Sequence, residues 1–172
     1  MKVTSSIKVR YQETDQMGVV YHANYLIWFE IGRTAFIEEL GFQYHEMEAE
    51  GVVSPVVDAN ISFKQPIRYG GDAFVETWIE DYNGIRTTYG YRILNDKKEV
   101  AVTGKTQHVI VDKETFKPLS LRKKVSSLAS CVSTSIRGQS VMAFGIDRNT
   151  LNKWKRKVDR GEIAFFNPLL AR

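Results

Sequence analysis

The chain is poor in the residues that mark secreted, fibrous and membrane-spanning proteins. It holds one cysteine, Cys131, in 172 residues, so an internal disulfide is excluded. The three histidines, His22, His45 and His108, have no ligand-like spacing to one another or to that cysteine, and no metal site is expected. Four prolines and twelve glycines rule out a collagen-like or proline-rich low-complexity chain. No long uninterrupted hydrophobic run is present: the richest apolar segment, Leu26 to Leu40, is broken by Glu30, Gly32 and Arg33 and is too short and too polar to span a bilayer. The first residues lack the basic-then-apolar pattern of a secretory leader. These absences lead to the expectation of a soluble, cytoplasmic protein.

Charge is also unevenly supplied. Residues 1–131 carry 16 Lys or Arg against 17 Asp or Glu, a balance of −1, whereas residues 132–172 carry 8 against 3, a balance of +5. Any attraction to nucleic acid therefore belongs to the tail alone.

What is present is organised around residues 10–41. A short polar loop with one acid and one glycine, Asp15 and Gly18, leads into a helix expected from about Asn24 to Gly41. Leu26, Ile27, Trp28, Phe29, Ile31, Ala35, Phe36, Ile37 and Leu40 leave only a narrow polar stripe, and a helix apolar nearly all round is expected to be buried. Upstream, Val3, Ile7, Val9 and Tyr11 alternate as a half-buried strand. Residues 42–51 read as a short second helix or turn. From Val52 the period becomes two: Val57, Ala59, Ile61 and Phe63 share one face, and Phe74, Trp78 and Tyr82 share another. Asn83-Gly84 predicts a type I′ hairpin, Thr87 to Leu94 a further strand, Asn95 to Lys97 a turn, and Glu99 to Val111 a longer strand. Strand, long helix and four strands joined by short turns predict an α+β fold, an antiparallel sheet wrapped around one helix. Leu121 to Leu128 suits a closing helix. The chain thus divides into a body, 1–130, and a basic helical tail, 131–172.

The run Arg10-Tyr11-Gln12-Glu13-Thr14-Asp15-Gln16-Met17-Gly18-Val19-Val20-Tyr21-His22-Ala23-Asn24-Tyr25 resembles the signature of the hotdog-fold 4-hydroxybenzoyl-CoA thioesterase family, and most closely its YbgC-like acyl-CoA thioesterase branch. Phe63 to Asp72 is similar to that family's strand-Pro-turn-Asp segment. The resemblance covers roughly residues 1–128. It implies a hotdog fold, hydrolysis of an acyl-CoA thioester, no cofactor beyond the CoA of the substrate, and a homodimer or a homotetramer. A monomer would also leave the aromatic face Phe74, Trp78, Tyr82 uncovered.

The chemistry has its own logic. Thioester hydrolysis needs a nucleophile or base beside the carbonyl carbon and an electrophilic site for the oxygen. A helix start supplies the second, because its first amides lack partners and carry roughly half a positive charge. Asp15 is the acid expected to act, as nucleophile or general base, with Glu13 expected to face away. The His22 amide and its neighbours are expected to polarise the carbonyl, and the His22 side chain is balanced between catalytic helper and structural residue. Gly18 lets the backbone bend sharply or approach a ligand. Asn24 is most simply an N-cap, and Tyr25 core or acyl-site wall. Lys64 and Arg68 are candidates for CoA phosphate contact, though a solvated surface is the commoner place for such cations.

The tail carries a second likeness. Residues 141–157, with Gly145, Thr150, Leu151 and Trp154 among basic residues, resemble the second half of a helix-turn-helix of transposase type. The alternative reading is therefore a non-catalytic, acyl-CoA-sensing or dimerising body with a DNA-binding tail. A helix packing Leu151, Trp154 and Val158 on the body is the simpler expectation.

Overall fold

The structure, a computed structural model, describes residues 1–119. The closing helix expected at 121–128, Cys131, the boundary at residue 130 and the basic tail lie outside the described residues. In chain order the elements are β1 (Val3–Lys8), α1 (Asn24–Glu39), α2 (Tyr44–Ala49), β2 (Val52–Val53), β3 (Val56–Phe63), β4 (Asp72–Tyr82), β5 (Arg86–Leu94), β6 (Val100–Val109) and β7 (Val111–Asp112). Five strands pair antiparallel in the order β1-β4-β5-β6-β3, and β2 pairs with β7 as a separate ribbon. This is the expected α+β sheet with one long helix.

Helix α1 stops where its sequence says it should: Gly41, just past the end, takes φ +85°, the left-handed geometry that closes a helix. It packs on β1, β4 and β5 through Tyr25, Trp28, Phe29, Gly32, Phe36 and Ile37. Trp28 and Phe29 are fully buried, and burying such a side chain is worth about 1.5–3 kcal/mol. The approach to β4 depends on Gly32. A Cβ there would come within 2.7 Å of Val75 Cγ1 and closer still to Thr77 Oγ1. Glycine in a helix costs about 1 kcal/mol relative to alanine, and forcing extra atoms into a filled core costs about 1–3 kcal/mol. Close packing wins.

Several expectations are corrected. The helix is not buried all round: Leu26, Ile27 and Ile31 are each more than two-fifths exposed, because the sheet covers only one side of it. Asn24 is not the N-cap; that position is Ala23, with helical φ and ψ and no side-chain cap bond. β1 ends at Lys8, and Tyr11 sits in a 3₁₀ turn, 77% exposed and edge-on to Tyr69. The last long strand ends at Val109, and Val111 belongs to the small β2–β7 ribbon. Phe74, Trp78 and Tyr82 do not form one open face. A bulge between Ile79 and Asp81 breaks the alternation, and Tyr82 packs against the small cluster of Val52 and Ile110. Trp78 lies against Gly90 beneath the Lys2 ammonium, and Lys98 lies over Phe74. At the hairpin only Gly84 has positive φ. Asn83 acts through its side chain, whose Oδ1 accepts from the Ile85 and Arg86 amides.

A polar chain crosses the interior. Arg33 Nε donates to Tyr44 Oη at 2.9 Å and Nη1 approaches Tyr91 Oη at 3.5 Å; Tyr91 Oη and Thr106 Oγ1 are 2.8 Å apart, Thr106 Oγ1 and His108 Nε2 2.9 Å, and His108 Nδ1 and the Ser54 carbonyl 3.1 Å. A carbonyl only accepts, so Nδ1 carries the proton, Nε2 accepts from Thr106, and Thr106 accepts from Tyr91.

Candidate active site

Residues 14–20 form a miniature hairpin. Thr14 bridges to Val20, the Asp15 amide donates to the Val19 carbonyl at 2.9 Å, and the Gly18 amide donates to the Asp15 carbonyl at 2.9 Å. Gly18 takes φ +70°, a backbone geometry that a side chain would strain. Among the described residues the Asp15 carboxylate accepts one bond, from the Met17 amide at 2.9 Å, and none of them meets its second oxygen. Arg68 Nη1 holds the far side of the loop through the Met17 and Gly18 carbonyls, at 3.5 and 3.2 Å.

The loop leads directly into α1. The Asn24 amide donates to the Tyr21 carbonyl at 3.0 Å, while the amides of His22 and Ala23 find no acceptor among the described residues. Asp15, His22, Tyr25 and Lys64 line one cleft of about 340 Å³, with Met17, Val19, Val20, Phe63, Gln65 and Pro66. Four of the residues singled out from the sequence are thus brought together. Tyr25 is 3% exposed and packs edge-on to Trp28 and Phe63. Burial pushes its hydroxyl up to about 12 despite a hydrogen bond from the Ile67 backbone, and the nearby Asp15 charge adds to the rise. The phenol therefore remains a neutral donor beside the acid. The His22 imidazole lies against the Tyr21 ring, centroids 4.2 Å apart.

Three candidates are placed otherwise. Gly18 shapes the loop and does not line the cleft. Asn24 turns inward, its Nδ2 donating to the Glu13 carbonyl at 2.8 Å. Arg68 borders a neighbouring cleft of about 580 Å³ between residues 65–72 and 95–99, which shares only Gln65 and Pro66 with the first. That second cleft sets Asp72, Asp96 and Glu99 against Arg68 and Lys97, a poor balance for a polyanion. Among the described residues no cluster of three or more His, Cys, Asp or Glu could hold a metal ion, and no helix is long and apolar enough to cross a membrane.

Sequence reasoning missed Glu13. It does not face away: it is 3% exposed, and its carboxylate accepts from Arg10 N at 2.8 Å, Arg10 Nη2 at 2.9 Å and Trp28 Nε1 at 3.1 Å. Burial pushes its carboxyl up, but the bonds from Arg10 and Trp28 outweigh that and hold it below the ordinary glutamate value. The Arg10-x-x-Glu13 spacing was the one available signal.

Comparison with known proteins bears on the family and the fold. The thioesterase-like superfamily matches residues 9–128. YneP of Bacillus subtilis (strain 168), named as an acyl-CoA thioesterase, is 61% identical over 117 residues, 68% of this chain and 85% of that one. The acyl-CoA thioester hydrolase YbgC of Escherichia coli O157:H7 is 29% identical over 69% of this chain and 89% of its own, in keeping with the YbgC-like signature. The crystal structure of a DHNA-CoA thioesterase from Staphylococcus aureus superimposes with a TM-score of 0.72 at 35% identity, across 95% of this chain and 97% of that chain. With its hotdog sheet, its long helix and this loop in place, the chain belongs to the thioesterase-like superfamily.

Proposed function

We propose that the protein hydrolyses acyl-CoA thioesters, with Asp15 acting on the carbonyl carbon and the start of α1 receiving the carbonyl oxygen. One observation carries this reading: Asp15 and His22 share a single cleft with the apolar walls Val20, Tyr25 and Phe63. The thioester lies between the carboxylate and the His22 and Ala23 amides. Asp15 either attacks the carbon or takes a proton from the attacking water, and the negative charge developing on oxygen is met by the amides. One such donor is typically worth about 10²- to 10³-fold in rate. The thiolate of CoA leaves and is protonated; on the direct route water then cleaves the acyl anhydride formed on Asp15 and restores the carboxylate, on the water route the acid forms at once, and either way the free acid is released. No cofactor enters beyond the CoA of the substrate. Lys64 at the cleft edge is the cation placed to meet CoA phosphates, and Arg68 is committed to the loop. The single cysteine suits a cytoplasmic setting.

The test is thiol release from short, long and aromatic acyl-CoAs by the full chain. Saturable turnover of at least one class, with one free acid formed per thiol, is the expected result. No turnover across the panel would remove the proposal.

The same proposal includes a homodimer, or a tetramer built from two. The support is the apolar stripe Leu26, Ile27, Ile31 on α1 together with Val56, Val57 and Phe63 on edge strand β3, all exposed. Such a patch beside a strand edge that no described residue pairs is a liability in a monomer. Sedimentation at micromolar concentration is expected to give a dimer or larger, and Ile27→Glu with Ile31→Glu to shift it toward monomer. A monomeric parent would rule the assembly out.

A further inference from the structure

Glu13 accepts five hydrogen bonds that meet at the base of the Asp15 loop. Its carboxylate reaches back to Arg10 and across to Trp28, fifteen residues on in the buried face of α1. Its carbonyl accepts from the Tyr21 amide at 2.8 Å and from Asn24 Nδ2 at 2.8 Å. Residues 21 and 24 bracket His22 and Ala23, whose amides are open, and Asp15 follows Glu13 by two residues. One residue therefore joins the strand side of the loop, the helix core and the helix start.

We propose that Glu13 is a positioning residue that fixes the distance between the Asp15 carboxylate and the His22 and Ala23 amides. This deepens the hydrolase reading and rests on it. The carboxylate presents acceptors only, matching three converging donors. A glutamine of the same size would turn an NH₂ group toward either the Arg10 amide, or the Arg10 guanidinium and Trp28 together, and one side of the tie at the base of the loop would be lost. Reacting groups must stay within about 3–3.5 Å, and a misplacement of about 1 Å can cost about 10²-fold in rate. The walls Phe63 and Pro66 make no hydrogen bond to Glu13 and Tyr25 meets it only through Trp28, so binding is largely spared.

The experiment compares the parent, Glu13→Gln and Leu40→Ala in the full chain, well below each melting temperature. Leu40 is 2% exposed at the far end of α1, so its truncation lowers stability without touching the loop. In Glu13→Gln, kcat is expected to fall about 10²-fold with KM little changed, while Leu40→Ala keeps the parent kcat. Equal kcat in Glu13→Gln and an active parent would overturn the proposal. A readout without turnover is the set of amide resonances of Gly18, His22 and Ala23. They are expected to shift in Glu13→Gln and to stay put in Leu40→Ala; unchanged resonances overturn the proposal whatever the activity. A parent that turns over no thioester would sink the hydrolase reading, and these resonances would still decide whether Glu13 sets the loop. If Glu13→Gln does not fold, Asn24→Ala removes only the tie to the Glu13 carbonyl and carries the same expectations.

Discussion

Replacing Asp15 by asparagine is expected to lower kcat for acyl-CoA hydrolysis by about 10²- to 10⁴-fold, the range that a positioned base supplies, with no loss of folding stability. The two halves of that result come from different atoms. Among the described residues the carboxylate accepts a single bond, from the Met17 amide, and an asparagine Oδ1 accepts the same bond. Surface changes of this kind are usually worth less than about 0.5 kcal/mol. The loop is otherwise held by its own backbone bonds and by Arg68, neither of which the substitution touches. What disappears is the negative oxygen facing the cleft, without which neither direct attack nor proton removal from water proceeds. Thiol release measured beside thermal melting checks both halves. Near-parent turnover in Asp15→Asn would reject Asp15 as the acting group, and a large drop in melting temperature would mean that the loss of rate came from the fold.

Acidification is expected to remove about 3 kcal/mol of stability through His108 alone, at about 1.4 kcal/mol for each pH unit. Burial pushes this imidazole down to about 4, with the Arg33 charge acting in the same direction against the bond to the Ser54 carbonyl. An unfolded chain binds the proton near the ordinary value of about 6.5. The folded state is thus at its full strength above that value. Between about 6.5 and 4 the unfolded state takes up a proton that the native state refuses, and stability falls. Below about 4 both states are protonated and this loss is complete. Beside the cost of burial, a doubly protonated His108 would turn its Nε2 proton against the Thr106 hydroxyl proton, and a chain anchored at the Arg33 guanidinium has no reversed arrangement to relieve it. Urea midpoints of the parent and His108→Gln, followed from pH 8 to pH 4, test it: the parent should fall more steeply over the lower range. Parallel slopes would exclude His108 as the cause. Glu13 and Glu76, both held below the ordinary glutamate value, add losses of the same sign at lower pH.

The frame of the fold was legible because long patterns average over local accidents. The apolar run from Leu26 to Leu40, the stop at Gly41 and the period-two strands from Val57 onward needed no single residue to be read correctly. The clustering at the candidate site was legible for a different reason: Asp15, His22 and Tyr25 lie within eleven consecutive residues, so one loop and one helix start bring them to one cleft. What escaped was decided by partners far away in sequence. Glu13 is polar and sits in a polar loop, and only the arrival of Trp28 makes it interior. The bulge at Ile79 and Asp81 reverses the direction of Tyr82, and no composition marks it. β2 and β7 have two residues each, too few to show a period. Leu26, Ile27 and Ile31 are apolar without being covered by the sheet, so apolar composition alone overstated burial.

The interior chain from Arg33 to Ser54 has one more property. A guanidinium at one end can only give hydrogen bonds and a carbonyl at the other can only receive them, so every hydroxyl between them has a single permitted orientation. There is no second arrangement of equal energy for the protons to hop into, as there is along a file of water molecules. The chain can therefore neither carry a net proton across the core nor lend His108 to chemistry elsewhere. It acts as a fixed electrical polarisation inside the sheet.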